Sequence, residues 1–125
     1  MNDREFDLKG ASTDELIAQF VQYALDQDAT IDYLDLDRYN ELDKLIAGIG
    51  QELKRRGLEA RKQLLPLYNY RQAQVRLQAA RFTYALTPEA ARKCIQTVAD
   101  SLINPINFHA QQLLESIDAG LEKLD

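Results

Sequence analysis

The sequence predicts an all-α fold of about six antiparallel helices, and three observations lead to this prediction. Apolar residues recur every three or four positions through most of the chain, as they do in amphipathic helices. Alternating strand patterns are nearly absent, and the Asn-Gly or Asp-Gly pairs of tight hairpins do not occur. The chain also contains only five glycines among 125 residues.

The length predicts one domain. Residues 1–12 have no apolar stripe and are expected to be frayed, which leaves residues 13–125 as a single helical domain. The charged start contains no apolar run of signal-peptide length, and the one cysteine cannot form an internal disulfide. Composition favours neither disorder nor a membrane span. We therefore expect a cytoplasmic protein without a membrane partner.

The first two helices have clear boundaries in the sequence. Ser12 or Thr13 is a good N-cap, and acidic residues follow in the first turn. The second helix presents an apolar face that runs from Leu36 to Leu53. Three cations and then Gly57 predict its end, because basic side chains and a following glycine are typical of helix C-termini.

Prolines define the later helices. A short helix over about residues 59–65 is expected to kink or end at Pro66. A helix over about 72–86 follows, and Thr87-Pro88 then predicts an N-cap and first position. Asn104-Pro105 predicts the same start for the last helix. The predicted core positions of these last two helices are Ala91, Ile95, Val98 and Leu102, then Ile106, Ala110, Leu113, Leu114, Ile117 and Leu121.

The helix over residues 72–86 is apolar on two opposite sides at about 100° per residue. One stripe consists of Val75, Ala79, Phe82 and Leu86. The opposite stripe consists of Ala73, Leu77, Ala80 and Tyr84. The edges between them carry Gln72, Arg76 and Thr83 on one side and Gln74, Gln78 and Arg81 on the other. Since a surface helix has one apolar face, we expect this one to be enclosed on both sides, with its polar edges reaching solvent or helix ends.

The same region resembles a known repeat. Residues 64–86, LLPLYNYRQAQVRLQAARFTYAL, are similar to one HEAT-type repeat, in which a proline-kinked helix precedes a helix that opens with Val-Arg. Val75-Arg76 and Ala79-Ala80 match that motif. The acidic turn residue of such repeats is missing, with Asn69 nearest, which removes the usual salt bridge to the arginine. The resemblance predicts a HEAT-like unit at about residues 59–86.

A wider resemblance covers about residues 15–100. The segments FVQYALDQD, RYNELDKLIAGIGQELKRRG, LLPLYNYRQAQVRLQAA and TPEAARKCI resemble a family of small bacterial proteins catalogued as a domain of unknown function, number two thousand and nineteen. This resemblance implies a HEAT- or armadillo-like, right-handed stack of helices, a short α-α superhelix. It implies no assigned activity and brings no catalytic residues.

The net charge of −5 is unevenly distributed. Residues 1–52 hold four Lys/Arg against thirteen Asp/Glu, residues 53–93 hold ten against two, and residues 94–125 hold one against five. The sequence leaves two interpretations open for the basic middle: internal pairing with the acidic segments, or contact with an anionic partner. The candidate interaction edge consists of Lys54, Arg55, Arg56, Arg61, Lys62, Arg71, Arg81, Arg92 and Lys93, with Tyr68 and Tyr70 beside it.

No residue pattern predicts a reactive or metal-binding site. Cys94 and His109 are the single cysteine and histidine, too few for a structural zinc site, and we expect a core thiol and a surface or packing histidine. The acidic run from Asp26 to Asp43 lacks the glycine of a calcium loop in either register. Gly48-Ile49-Gly50 follows no strand, so it is not a phosphate loop. We expect no metal and no cofactor.

These patterns favour a non-enzymatic module that binds a protein partner, with self-association left open. Phosphate-backbone contact by the basic 54–93 region, with Tyr68 and Tyr70 stacking on bases, is the alternative. Its weakness is the acidic chain as a whole. A second alternative is a toxin-neutralising immunity-type protein, and an enzyme is the least supported, because no pair of carboxylates stands out.

Overall fold

The computed structural model describes residues 6–125, which form six α-helices and one 3₁₀ helix and contain no strand. The α-helices are α1 (Thr13–Asp32), α2 (Leu36–Arg56), α3 (Leu58–Lys62), α4 (Ala73–Thr83), α5 (Pro88–Ala99) and α6 (Ile106–Asp118), and the 3₁₀ helix is Leu65–Asn69. The all-α prediction is confirmed. The chain forms two compact units, Met1–Gln63 and Leu64–Asp125. The HEAT-like unit, the right-handed stack and the single domain stay predictions.

Helices α1 and α2 pack on each other in the first unit. Ser12 caps α1 through a capping box: its hydroxyl accepts from the Glu15 N–H at 3.1 Å, and the Glu15 carboxylate accepts from the Ser12 N–H at 2.7 Å. The buried Gln27 side chain joins the two helices, because its amide donates to the Tyr39 carbonyl at 3.2 Å and to Asp43 Oδ1 at 3.4 Å.

The core of the first unit consists of Leu16, Phe20, Tyr23, Ala24, Leu42, Ile46, Ile49 and Leu53. Gly57 ends α2 with a φ of 111°, a backbone conformation that side chains other than glycine rarely adopt. The predicted C-terminus of the second helix is therefore confirmed. Residues 1–5 of the predicted frayed segment lie outside the described residues. Residues 7–11 form a turn whose Leu8 and Lys9 carbonyls accept from Arg56 Nη2 at 2.9 and 3.3 Å, and the fraying of residues 1–12 stays a prediction.

The second unit begins with the 3₁₀ helix and continues through α4, α5 and α6. Its core lies where α4, α5 and α6 pack together, and it contains Ala73, Leu77, Ala80, Ala91, Ile95, Val98, Ala99, Ile106, Ala110 and Leu114. Pro66 lies at the start of the 3₁₀ helix, three residues beyond the C-cap Gln63 of α3. The predicted short helix over about residues 59–65 corresponds to α3, which ends at Lys62, before Pro66.

Several predicted boundaries differ from the structure. Helix α4 ends at Thr83, three residues early, and Pro105 is the N-cap of α6 rather than its first residue, after a cis Asn104-Pro105 bond. Leu102, a predicted core position, is 94% exposed, because α5 ends at Ala99. Leu121 is exposed for a similar reason, since α6 ends at Asp118. Leu113 and Ile117 are half-buried at the edge of the core.

Helix α4 is enclosed as its two stripes predict. Val75 and Ala79 are fully buried on one side, and Leu77 and Ala80 are buried on the other. The prediction that its polar edges reach solvent is wrong for three of the six edge residues, while Gln72, Arg76 and Arg81 are half-buried. Gln74, Gln78 and Thr83 are also buried, so nearly the whole circumference of the helix is removed from solvent.

Candidate functional site

The nine cations predicted as an interaction edge fall in both units. Lys54, Arg55, Arg56, Arg61 and Lys62 belong to the first unit, and Arg71, Arg81, Arg92 and Lys93 belong to the second. Most of them have partners within their own unit. The prediction that these residues form one binding edge therefore stays a prediction, while pairing with a carboxylate is observed for four of the nine, Arg55, Arg56, Lys62 and Arg92.

Glu52 organises the cations at the end of α2. Its buried carboxylate accepts from Arg55 Nε at 3.0 Å and Nη2 at 2.6 Å, and from Arg56 Nε at 2.9 Å. These hydrogen bonds lower the pKa of Glu52 to about 2. Lys62 pairs with Glu59 at 3.5 Å, and Lys54 and Arg61 also have interaction partners. The acidic first segment thus supplies one carboxylate that pairs with two of the predicted edge residues.

In the second unit the acidic tail has the same role. Arg92 donates both terminal nitrogens to the Asp118 carboxylate at 2.9 Å, which raises the pKa of Arg92 and lowers that of Asp118. Arg81 donates to Gln78 Oε1 at 2.8 Å and lies 5.2 Å from the centre of the Phe82 ring. Within residues 6–125, Arg71 and Lys93 have no carboxylate partner.

Tyr68 and Tyr70, predicted to stack beside the cations, are both half-buried. Tyr68 packs against the core of the second unit, and its hydroxyl is hydrogen-bonded to the Thr83 and Thr87 hydroxyls. Thr87 therefore uses its hydroxyl for Tyr68 instead of capping α5. Tyr68 is a packing residue, with only part of its ring exposed.

Cys94 and His109 are both half-buried, at the edges of α5 and α6. The Cys94 thiol donates to the Arg76 carbonyl at 3.6 Å, and burial raises the pKa of the thiol. A raised pKa lowers the fraction of thiolate, so Cys94 is a poor nucleophile at neutral pH. Arg76 itself donates to the Tyr70 and Arg71 carbonyls at 2.8 and 3.0 Å.

A different surface stands out at the turn between α1 and α2. We call residues 32–37, with the sequence DYLDLD, the α1–α2 tip. Its three large apolar side chains are solvent-exposed: Tyr33 by 82%, Leu34 by 85% and Leu36 by 70%. The placement of Leu36 on the buried face of the second helix is therefore wrong, since the first buried leucine of α2 is Leu42. Three large apolar side chains open to water within four positions are unusual in a monomeric protein.

The backbone of the tip is fixed by hydrogen bonds. The Tyr33 and Asp35 amides donate to the Thr30 carbonyl at 3.2 Å, the Leu34 amide donates to the Ile31 carbonyl at 3.2 Å, and Asp35 Oδ1 accepts from the Arg38 amide at 3.0 Å. Leu34 has a φ of 56°, and among residues 6–125 it is the one non-glycine residue with a positive φ. A bulky side chain in the left-handed region is strained, because Cβ crowds the following carbonyl oxygen.

Exposed acidic residues are interspersed with the apolar ones along the sequence of the tip. Asp32, Asp35 and Asp37 alternate with them, and Asp28 lies one turn before Asp32 on α1. The pKa of Asp28 is raised first by partial burial and then by the neighbouring Asp32 charge. The tip therefore combines an exposed apolar centre with an acidic rim.

A second exposed apolar group, which we call the α5–α6 group, lies around the connection between α5 and α6. Leu102 and Ile103 lie in that connection and Phe108 in the first turn of α6, each more than half exposed. Carboxylates are sparser around this group, with Asp100 the nearest in sequence. Sequence reasoning missed both groups, because the helical spacing placed Leu36 and Leu102 in the core. The available signal was their position beside a predicted helix end, where the apolar periodicity stops.

Among residues 6–125, no three His, Cys, Asp or Glu side chains are grouped as a metal site would require. Over the same range, no helix has the length and apolar character needed to cross a bilayer.

Comparison with known proteins gives two matches. Residues 14–118 match the model of a family described as a domain of unknown function, DUF2019. The chain is also similar to the protein RPA1889 from Rhodopseudomonas palustris CGA009, whose crystal structure is known: the two are 34% identical, the match covers 97% of this chain and 100% of the other, and the TM-score is 0.86. No curated protein matches the chain. These similarities agree with the helical fold and bring no activity with them.

Proposed function

We propose that this chain, which belongs to the DUF2019 family, a domain of unknown function, is a non-enzymatic module that binds a protein partner through its α1–α2 tip. The observation that carries this proposal is the exposure of Tyr33, Leu34 and Leu36 on a turn held by hydrogen bonds. Its cytoplasmic location and HEAT-like repeat character remain expectations from the sequence.

The apolar area at the tip is enough to anchor a partner. Burying a leucine or a comparable side chain contributes about 1.5–3 kcal/mol, so three such side chains supply several kcal/mol. Aromatic and aliphatic anchors at the centre of an interface carry much of its binding energy. Since the turn is already ordered, little conformational entropy is lost when a partner binds.

The conformation of Leu34 supports the same surface. Asparagine or glycine would occupy a left-handed turn position with less strain, and neither would expose an apolar side chain there. A leucine that is both strained and exposed lowers stability and solubility together. Binding a partner explains why the chain has a leucine at this position.

The acidic rim indicates the chemistry of the partner. Asp28, Asp32, Asp35 and Asp37 favour a protein surface in which lysines or arginines surround an apolar patch. Charge complementarity of this kind mainly raises the association rate and selects among partners. The α5–α6 group has fewer carboxylates, so it is the weaker candidate for a basic partner.

The experiment is a comparison of two baits in lysate of the native cell. One bait is the wild-type chain, and the other carries Tyr33→Ser, Leu34→Asn and Leu36→Ser. We expect a protein that the wild type retains at physiological salt and the tip variant does not. Binding of the purified partner should weaken with added salt without disappearing, because the apolar contacts are not screened.

A matched variant, Leu102→Asn with Phe108→Ser, removes apolar side chains of the α5–α6 group instead. We expect it to retain the partner. A partner lost from this variant and kept by the tip variant would move the interface to the second unit. Retention by both variants, or recovery of a second copy of the chain as the one species bound, would contradict the proposal.

Nucleic-acid binding is a weaker proposal, because five of the nine predicted edge cations are hydrogen-bonded to or ion-paired with Glu52, Glu59, Gln78 or Asp118. Each of these cations must lose its present partner, or bind the phosphate in addition to it, before it can contact nucleic acid. Phosphate contacts would make affinity fall by orders of magnitude between about 50 and 200 mM salt. Binding of duplex or single-stranded nucleic acid at 50 mM salt, lost in Arg71→Gln with Lys93→Gln, would favour this alternative.

A further inference from the structure

An open cavity of about 330 Å³ lies at the surface of the second unit, between the 3₁₀ helix, α4 and α5, and several of its lining residues are solvent-exposed. Ala90, Lys93, Cys94 and Thr97 line it from one face of α5, since positions i, i+3, i+4 and i+7 lie on the same side of a helix. Tyr68, Asn69 and Arg76 complete the lining. A volume of this size is at the lower end of the range for sites that bind small molecules.

The lining carries two positive charges and no carboxylate. The Arg76 guanidinium is held in place, because Nη1 donates to the Tyr70 and Arg71 carbonyls at 2.8 and 3.0 Å. Its Nε and Nη2 groups make no hydrogen bond within residues 6–125. Over the same residues the Lys93 ammonium has neither a hydrogen bond nor an ion pair. Two cations beside one cavity raise the free energy of each other unless an anion is present.

The remaining groups limit what kind of anion fits. The Asn69 side-chain amide makes no hydrogen bond within residues 6–125 and can donate to an acceptor or accept from a donor. The Tyr68 hydroxyl is already bonded to Thr83 and Thr87, so Tyr68 contributes its ring. Together with Ala90 and the protonated Cys94 thiol, that ring gives the cavity an apolar wall.

From this cavity and its charges, we propose that the second unit binds a small organic carboxylate, with its charged group on Arg76 and Lys93 and its apolar body against Tyr68 and Ala90. A planar carboxylate suits the guanidinium fork of Arg76, which offers two parallel N–H groups. The proposal is independent of the α1–α2 tip, which belongs to the other unit.

Cys94 provides a direct readout, because it lines the cavity and is the single cysteine of the chain. Its alkylation by iodoacetamide can be followed by intact mass, at a pH near 8.5 where a thiol with a raised pKa still reacts. The probe is benzoate. We expect saturating benzoate to slow the alkylation of Cys94 at least about fivefold, whereas benzamide, its neutral isostere, should leave the rate unchanged.

Two variants and a control identify the charges involved. Lys93 is exposed, so Lys93→Gln should fold and should raise the benzoate concentration needed for half-protection about tenfold, the effect of losing one charge-assisted hydrogen bond. Arg76→Lys keeps a positive charge but loses the two parallel N–H groups of the guanidinium. We expect it to raise the benzoate concentration needed for half-protection by less than Lys93→Gln does. Lys123→Gln, on the exposed C-terminal segment, should match the wild type.

A second measurement detects benzoate binding without relying on the alkylation of Cys94, which is slow when the thiol is protonated. Benzoate should shift the backbone amide resonances of Asn69, Lys93 and Thr97 in a titration, and benzamide should not. Equal effects of benzoate and benzamide would overturn the proposal, since binding would then not depend on charge. Protection by inorganic phosphate in place of benzoate would overturn the assignment of an organic ligand, and wild-type affinity in Lys93→Gln would remove Lys93 from the site.

Discussion

The burial of helix α4 and of the α1–α2 tip is the opposite of what their residue types suggest. Helix α4 is rich in glutamine and arginine, yet eight of its eleven residues are buried. The tip has three large apolar side chains, yet all of them are exposed. Residue type alone therefore does not decide burial in this chain. What decides it is whether neighbouring elements cover the position and whether polar groups find partners when they do.

Gln78 and Thr83, two of the three buried polar residues of α4, show how partners permit burial. Gln78 accepts from Arg81, and the Thr83 hydroxyl donates to the Ala79 carbonyl at 2.7 Å while it is hydrogen-bonded to Tyr68. At the tip, the backbone is equally well hydrogen-bonded, but no described element covers the side chains. Order without burial is what a binding surface requires.

The largest expected effect tests the enclosure of α4. Leu77→Asp places a charge in the core of the second unit and should cost about 4 kcal/mol or more in the free energy of unfolding. Leu36→Asp at the tip should change it by less than about 0.5 kcal/mol, since the side chain is exposed and acidic residues are favoured in the first turn of a helix. Urea denaturation of both variants measures the difference. Similar losses of stability in the two would remove the distinction between the regions.

A second variant tests the polar edge of α4. Gln78→Glu should cost about 2 kcal/mol, because an ionised carboxylate would lie at a position that is 2% exposed, with Arg81 compensating only part of the desolvation. Sequence reasoning predicts a nearly silent change there, since it places Gln78 at a solvent-facing edge. Gln112→Glu, at an exposed position of α6, is the control and should be close to neutral. Thermal melts that are equal for the two variants would support the solvent-facing edge.

Much of the fold could be predicted from the sequence, because local rules determined it. The cap at Ser12, the end at Gly57 and the start of α5 at Pro88 depend on a few neighbouring residues and are confirmed. The two apolar stripes of α4 also required only helical periodicity. The burial of Gln78 depends instead on residues that pack against it from outside its helix, which periodicity does not contain.

The candidate site was harder to predict for related reasons. Leu36 and Leu102 continue an apolar spacing past the point where the core ends, so their exposure follows from the ends of helices and not from their own pattern. The charge pairing of Arg92 with Asp118 joins residues 26 positions apart and needs the packing of α5 on α6. The positive φ of Leu34 has no sequence signal, since leucine is among the residues that avoid it.

Glu52, near the end of α2, is a buried polar residue that differs from those of α4 because it keeps a negative charge. Its pKa of about 2 lies below the ordinary value of 4.5, so the folded chain binds fewer protons at this group than the unfolded chain. The stability it contributes is complete above about pH 4.5 and is lost as the pH falls towards 2. Glu52→Gln should therefore be less stable than the wild type at pH 7, and the gap should narrow across that window.

Urea midpoints at several pH values between 7 and 2 measure this gap. Glu59→Gln is the matched control, because Glu59 pairs with Lys62 on the surface, where its side chain is 89% exposed. Exposed pairs contribute little, so this variant should follow the wild type at every pH. A gap for Glu52→Gln that stays constant with pH would mean that the ion pairs with Arg55 and Arg56 do not stabilise the fold.

The smallest expected effect is at the tip, and it is an increase in the free energy of unfolding instead of a decrease. Leu34→Asn should raise the free energy of unfolding by about 0.5–1 kcal/mol, since asparagine tolerates the left-handed backbone and the leucine side chain is 85% exposed, so almost no burial is lost. Leu102→Asn is the control: it is also exposed but has no positive φ, and its stability should not change. The comparison thus separates relief of backbone strain from the removal of an exposed apolar group.

A stabilising change at Leu34 that also removes partner binding would link the two properties of the tip. Strain at a position persists when another requirement outweighs it, and in this chain the requirement we infer is contact with a basic, apolar partner surface. If Leu34→Asn lowered stability instead, the leucine would have to make contacts that favour the folded turn. Its exposure would then no longer indicate a partner, and the α5–α6 group, which has no comparable strain, would become the better candidate for the interface.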